Sequence, residues 1–400
     1  MTRSTRLGAI LLSVITTACG SEVERARPAA MFDTLAGGAV RVRGPAEGVW
    51  RDAERWLLDE QSRVGSMEGS GPDVFGQIWA ITADASDRLY VLDRQARQVG
   101  VFDRDGRHVR TFGREGRGPG EFVDPFGFAW DAMGRVWVVD VRQARYSVFD
   151  TAGAPVREYP RRVGGFSWPW PGRFDARGLL YEATFMAGGV QPILAFRPEE
   201  DLVAVDTFPH ALGTLQPGDF FDLRDDQGLG AIVGMPFGRR SEWALDRNGE
   251  IWVGHSSHYT LVRRNLDGDT LLVMERDVMP APVSGEERAA AIEGLGDQLQ
   301  HPKMDVGRIP ATKPFFERLL PDDDGNLWVL REGDGTAWFF DVFGRDGSFL
   351  GAVDLPVKPE LFPPPRIGAH AVFVVTRDSL DVQYVIRYGI NRGPVARGPG

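Results

Sequence analysis

The sequence predicts an all-β fold: six four-stranded antiparallel sheets stacked radially into a closed ring, a six-bladed β-propeller. Three observations carry this prediction. An Asp-Gly-aromatic hairpin recurs along the chain, a second hairpin signal follows about ten residues after it, and an N-terminal segment reads as the end of a blade without its beginning.

The first observation is clearest in Asp131-Ala-Met-Gly134-Arg-Val136-Trp137-Val138, which recurs as Asp246-Arg-Asn-Gly249-Glu-Ile251-Trp252-Val253 and as Asp322-Asp-Asp-Gly325-Asn-Leu327-Trp328-Val329. Asp175-Ala-Arg-Gly178-Leu-Leu180-Tyr181 and Asp84-Ala-Ser-Asp87-Arg-Leu89-Tyr90 are further copies, and Val372-Phe373-Val374 falls in the same frame. Asp opens a turn through its own side chain, Gly supplies a left-handed residue, and a β-branched or aromatic run returns as a strand. The second signal is Val101-Phe102-Asp103-Arg-Asp-Gly106, matched by Val148-Phe149-Asp150-Thr-Ala-Gly153 and Val342-Phe343-Gly344-Arg-Asp-Gly347. Two hairpins per unit make four strands, the content of one blade. The third is the stretch 54–66, which parallels the end of the first complete unit. It is expected to supply the outer strand of the last blade, whose inner strands come from 366–390, so that the ring has no exposed edge at its seam.

The segment Gly118-Pro-Gly-Glu-Phe122-Val-Asp-Pro125, followed by the Asp131 hairpin and Val148-Phe149-Asp150, resembles the repeat of NHL-type propellers. The resemblance covers nearly all of the chain after residue 40 and implies a propeller with Asp140 and Arg145 as a structural pair. Some related propellers are lyases or hydrolases with a metal in the channel.

Hydrophobic residues make up 42% of the chain, enough for a core in a fold of this size, and a formal charge of −10 excludes a general nucleic-acid binder, which needs a basic surface. The first eighteen residues read as a secretory signal, with Arg3 and Arg6 before the apolar run Leu7–Ile15. The lone cysteine, Cys19, directly follows. This resembles a bacterial lipoprotein signal, which implies a lipidated Cys19, a tether over 19–40, a propeller over 41–400, attachment to a membrane and an outer-membrane lipoprotein facing the periplasm.

Successive repeat aromatics lie 47, 44, 71, 76 and 45 residues apart, so two intervals carry insertions, at about 209–238 and 280–314. The second holds a helix candidate, with Ser284 and Glu287 as a capping box and Ala289, Ile292, Leu295 and Leu299 on one face. Both insertions are expected over one mouth of the channel. Arg94, Arg142, Arg239, Arg240, Lys313, Arg331 and Arg366 fall in loops or strand ends of that face, with Trp168 and Trp170 as stacking surfaces. A basic mouth on an acidic protein favours a protein partner or a small anionic ligand. His255-Ser-Ser-His258 and Asp322-Asp-Asp-Gly-Asn read as a strand-to-loop segment and a hairpin turn rather than metal sites, because neither has a full ligand set. No hydrolase elbow or zinc-protease motif occurs. The chain is read as a monomeric binding module with no resident cofactor, and the alternative is a propeller lyase or hydrolase with a divalent metal in its channel.

Overall fold

The structure, a computed structural model, describes residues 29–393 except 162, 164–169, 171, 185–191, 209–218 and 226. The signal segment, Cys19 and Trp168 lie outside the described residues.

The described chain opens with a hairpin, β1 (Met31–Thr34) and β2 (Val40–Arg43), and a longer strand, β3 (Leu57–Val64). Blade one holds β4 (Ile78–Ala83), β5 (Leu89–Asp93), β6 (Gln98–Phe102) and β7 (His108–Phe112). Blade two holds β8 (Pro125–Trp130), β9 (Val136–Asp140), β10 (Arg145–Phe149) and β11 (Pro155–Pro160). Blade three holds β12 (Arg173–Phe174), β13 (Leu180–Ala183), β14 (Ile193–Pro198) and β15 (Leu202–Phe208). A separate hairpin follows, β16 (Phe220–Asp222) with β17 (Ile232–Gly234).

Blade four holds β18 (Ser241–Leu245), β19 (Ile251–His255), β20 (Thr260–Arg264) and β21 (Thr270–Glu275). The helix α1 (Gly285–Glu293) comes next. Blade five holds β22 (Arg318–Pro321), β23 (Leu327–Glu332), β24 (Trp338–Phe343) and β25 (Phe349–Leu355). Blade six holds β26 (Arg366–Ile367), β27 (Ala371–Arg377) and β28 (Gln383–Asn391), and β3 completes it. The six-bladed propeller expected from the repeats is therefore what the chain forms. β3 pairs antiparallel with β28, Val64 opposite Val385 and Leu57 opposite Asn391, so the ring closes with the predicted strand.

The hairpin chemistry explains the repeat. In Asp131 one carboxylate oxygen accepts the N–H of Met133 and of Arg135, and the other accepts the Trp137 indole N–H at 2.9 Å. Asp322 does the same for Asp324, Asn326 and Trp328, and Asp175 reaches the Tyr181 hydroxyl at 3.0 Å. The Asp thus ties the turn to the aromatic six residues on. Gly134 (φ 73°) and Gly325 (φ 88°) take the left-handed residue of the turn, where a Cβ would be strained. Tyr90, Trp137, Tyr181, Trp252, Trp328 and Phe373 are all buried, and each packs against the blade that follows its own. These rings are the filling between wedge-shaped sheets, which is why an aromatic must return in every unit.

Two features differ from the sequence reading. Residues 31–43, expected to be mostly tether, form β1 and β2, and β2 pairs parallel with the outermost strand of blade four, Val40 opposite Leu272. From there the chain runs along blade five, where Val49 and Trp50 donate backbone N–H groups to the Leu350 carbonyl. The Trp50 ring packs at a tilt against Trp56, and Trp56 against Trp328, before β3 enters blade six. Residues 31–64 form a belt across the outside of three blades. The second difference is α1: the Ser284–Glu287 capping box is present, but the helix stops at Glu293, and Leu295 and Leu299 belong to the 3₁₀ turn after it. Gly294 and Gly296 make that break understandable.

Candidate functional site

Around the channel the innermost strands follow in ring order, β4 between β26 and β8, β22 between β18 and β26, and β12 beside β8. In each blade the strand pairing sets one innermost residue opposite the repeat aromatic. These are Thr82 with Tyr90, Ala129 with Trp137, Arg173 with Tyr181, Ala244 with Trp252, Leu320 with Trp328 and Arg366 with Phe373. The six positions form one level of the innermost strands, next to the turn that leads into the second strand. Four are small or aliphatic. The two arginines belong to blades three and six, which face each other across a six-membered ring.

Arg173 is held deep in that level, and its guanidinium is pushed down to about 10, first by burial and then by repulsion from Arg366. Its ion-pair partner, Asp323, stands 3.4 Å away and is half-exposed, and Asp246 and Asp322 add their attraction from the neighbouring turns. The level above carries a pair from adjacent blades, Arg318 with Glu242 at 2.8 Å. Glu317 and Arg240 follow toward the mouth at 3.0 Å. Burial raises both Glu242 and Glu317 above the usual carboxylate range, against the pull of Arg318 and Arg240. The channel therefore pairs Arg318 with Glu242 and Arg240 with Glu317 at its mouth and middle, and brings Arg173 and Arg366 near each other at the turn end, where Asp246, Asp322 and Asp323 attract Arg173.

Most of the arginines singled out in the sequence serve the seams between blades. Arg94 binds Asp124 at 2.7 Å and lies over the Trp79 ring at 4.2 Å. Arg331 donates to Asp341 at 3.1 Å, where Arg276 and the Tyr259 hydroxyl also converge, at 2.5 and 2.6 Å. Arg239 donates to the Thr312 carbonyl and hydroxyl and so ties blade four's entry to the second insertion. Lys313 is fully buried, held by Glu287, by Glu332 at 3.0 Å and by the carbonyls of Gly333 and Gly335. Trp170 is buried against Tyr146 rather than presented at a mouth. Arg142 is exposed and makes no ion pair among the described residues. Of the basic positions named from sequence, Arg366 alone stands at the level of Arg173, and it does so on a strand, not in a mouth loop.

Asp140 and Arg145 face each other in the backbone register but do not join through their side chains. Asp140 accepts the N–H groups of Val123, Asp124 and Gln143, while Arg145 binds the carbonyls of Gly118 and Glu121. Both organise the connector that enters blade two.

The two insertions share a small core of their own. Phe221 and Met235 from the first meet Ile292, Leu295 and Ile309 from the second. A concavity of about 650 Å³ opens on the opposite, turn-bearing end, at the seam of blades six and one, where Asp87 meets Arg104 at 3.1 Å and Arg387 at 3.5 Å. Among the described residues no group of three or more His, Cys, Asp or Glu side chains is placed to hold a metal ion, and no helix is long and apolar enough to cross a membrane.

Arg173 was missed in the sequence because it interrupts no motif. Aligning the strands by their aromatic partners, rather than by their turns, would have exposed it: a basic residue stands two positions before Asp175 where other blades have Thr, Ala or Leu.

Fold and channel together define a six-bladed β-propeller with a charged axial channel. Residues 74–159 match the profile of the family designated DUF5128, described as a 6-bladed beta-propeller. Among solved structures, a protein of Bacteroides fragilis described as exported aligns over 88% of this chain and 99% of its own, at 10% identity and a TM-score of 0.51. Virginiamycin B lyase from Staphylococcus aureus aligns over 84% and 99% at 9% identity and a TM-score of 0.43. A gluconolactonase of Xanthomonas campestris aligns over 79% and 88% at 13% identity and a TM-score of 0.40. No curated protein matches the chain by sequence. At these identities the likeness concerns the fold alone.

Proposed function

We propose that this protein is an exported, lipid-anchored binding module whose channel takes a small anion, a dicarboxylate or phosphate ester, between Arg173 and Arg366. The observation that carries the reading is the register, which sets Arg173 and Arg366 at one level of the innermost strands of opposite blades, where Arg366 repels Arg173. Bringing like charges together in a desolvated channel is unfavourable by itself, and an anion relieves it. Guanidinium groups suit carboxylate and phosphate oxygens because their fixed fork matches two acceptors at once. Anchoring rests on Cys19, which follows an export-type leader and is the single cysteine of the chain.

Calorimetric titration with succinate and with inorganic phosphate tests the channel. Binding that falls at least tenfold in Arg173→Gln and in Arg366→Gln, and is unchanged in Arg142→Gln, is the expected outcome. Equal affinity in all four proteins refutes it. For the anchor, Cys19→Ser is expected to shift the protein from the membrane fraction to the soluble fraction, and an unshifted variant removes the lipid from the reading.

A further inference from the structure

The segment His255-Ser256-Ser257-His258 has a second partner that its sequence does not reveal. Asp219, on the first insertion, reaches His255, with Oδ2 3.2 Å from Nε2. On the other side of the same ring, Nδ1 lies 2.6 Å from the Ser257 hydroxyl, and the hydroxyl lies 2.8 Å from Nδ1 of His258. The carboxylate of Asp219 has little exposure, His255 is about one-third exposed, and Ser257 is half-buried.

With His255 neutral, one arrangement of hydrogens satisfies these contacts. An ionised carboxylate only accepts, so His255 carries its proton on Nε2. A neutral imidazole then accepts at Nδ1, so the Ser257 hydroxyl donates to it. The hydroxyl oxygen is left as acceptor, and His258 donates from its own Nδ1. The chain of bonds runs in one direction, toward Asp219, and draws the hydroxyl proton away from Ser257. We propose that Ser257 is a nucleophile for acyl transfer from carboxylic esters, with His255 as its base and Asp219 as the positioning residue. The required elements are a hydroxyl bonded to a base and a base oriented by a buried carboxylate, and both are present here.

The local backbone supports the placement. Ser256, adjacent to the nucleophile, is fully buried; its N–H donates to the Arg240 carbonyl, and its hydroxyl accepts the Arg240 N–H at 3.0 Å. This fixes the loop at the end of β19. On the other side, a Cβ at Gly238 would lie 2.9 Å from the Asp219 carbonyl, so the absence of a side chain there lets the insertion approach closely.

In the reaction, the Ser257 oxygen bonds to the ester carbonyl carbon as its proton passes to Nδ1 of His255. The resulting imidazolium is stabilised by Asp219, which keeps its charge. The bond from carbon to the alcohol oxygen breaks, and the proton on Nδ1 goes to the departing alkoxide. Water then attacks the acyl-serine with His255 again as base, releasing the acid and restoring the hydroxyl.

The test uses the full chain and a fluorophosphonate probe, which modifies serines already activated by a base, with p-nitrophenyl acetate as substrate. One adduct per chain is expected, located on Ser257 by peptide mass spectrometry, with ester hydrolysis at least tenfold above that of Ser257→Ala. His255→Gln is expected to lose labelling to the same degree, and Asp219→Asn is expected to retain the ester's KM while kcat falls at least tenfold. Unaltered circular dichroism of Ser257→Ala separates lost chemistry from lost folding. Absence of labelling in the folded wild type, or an adduct on another serine, overturns the proposal. Anion binding in the channel does not enter this readout, so either reading can fail alone.

Discussion

Replacing Asp322 with Ala should destabilise the protein by about 3–4 kcal/mol, and the figure follows from the bonds the carboxylate makes. One oxygen accepts the backbone N–H of Asp324 and of Asn326 at 2.9 and 2.8 Å; the other accepts the Asn326 side-chain amide and the Trp328 indole N–H at 2.8 and 3.0 Å. The turn amides lie near the surface and recover water, so together they account for about 1 kcal/mol. The indole does not, because Trp328 is fully buried between blades five and six. An orphaned buried donor costs about 1–3 kcal/mol, at the upper end when its lost partner was charged. Guanidinium denaturation followed by tryptophan fluorescence and circular dichroism measures the change. Trp328→Phe removes the orphaned donor, so the double variant should be less destabilised than the sum of the two singles by about 1–2 kcal/mol. A loss under about 1 kcal/mol for Asp322→Ala, or simple additivity in the double variant, would refute the claim that the Asp exists to hold its aromatic.

A further prediction concerns acid. The Glu287 carboxyl is held below the usual carboxylate range, first by its bond to Lys313, which outweighs the opposing effect of burial, with a further contribution from the Ser284 N–H. Its folded value is therefore lower than its unfolded one, so its contribution is complete above about pH 4.5 and is lost as pH falls through the folded value. Limited proteolysis of 280–314 should accelerate below about pH 4 in the wild type. Glu287→Gln should be cut readily at neutral pH as well, and equal protection of the two proteins at pH 6 would contradict this.

Much of the fold could be read from the sequence because the information is local. An Asp, a left-handed residue and an aromatic within seven positions specify a hairpin whichever blade they occupy, and β3 was recognisable because it carries the same pattern as the end of blade one. The insertions stood out as interruptions of a period. What could not be read depends on partners far along the chain. Arg94 meets a carboxylate 30 residues away, and Arg276 one that lies 65 residues away. From sequence alone, such seam residues are indistinguishable from ligand-binding ones, since both are arginines beside a channel. β2 was missed for the same reason. Its four residues, Val-Arg-Val-Arg, alternate as a strand does, but their partner lies at 272–275, beyond any local pattern. The His255 cluster was half legible: the imidazoles are visible in the sequence, whereas Asp219 arrives from an insertion with no recognisable motif.

The belt of residues 31–64 has a consequence for how the molecule is made. These residues are synthesised before their hydrogen-bonding partners, which lie at 272–275, 349–350 and 385–391. The earliest segment therefore waits without its strand neighbours while most of the protein is produced, and it can dock only after the blades at the far end have appeared. Ring closure thus waits for the appearance of β28. A chain interrupted before residue 383 would leave β3 without β28 to pair with and blade six without its outer strands, so truncated products carry an open edge.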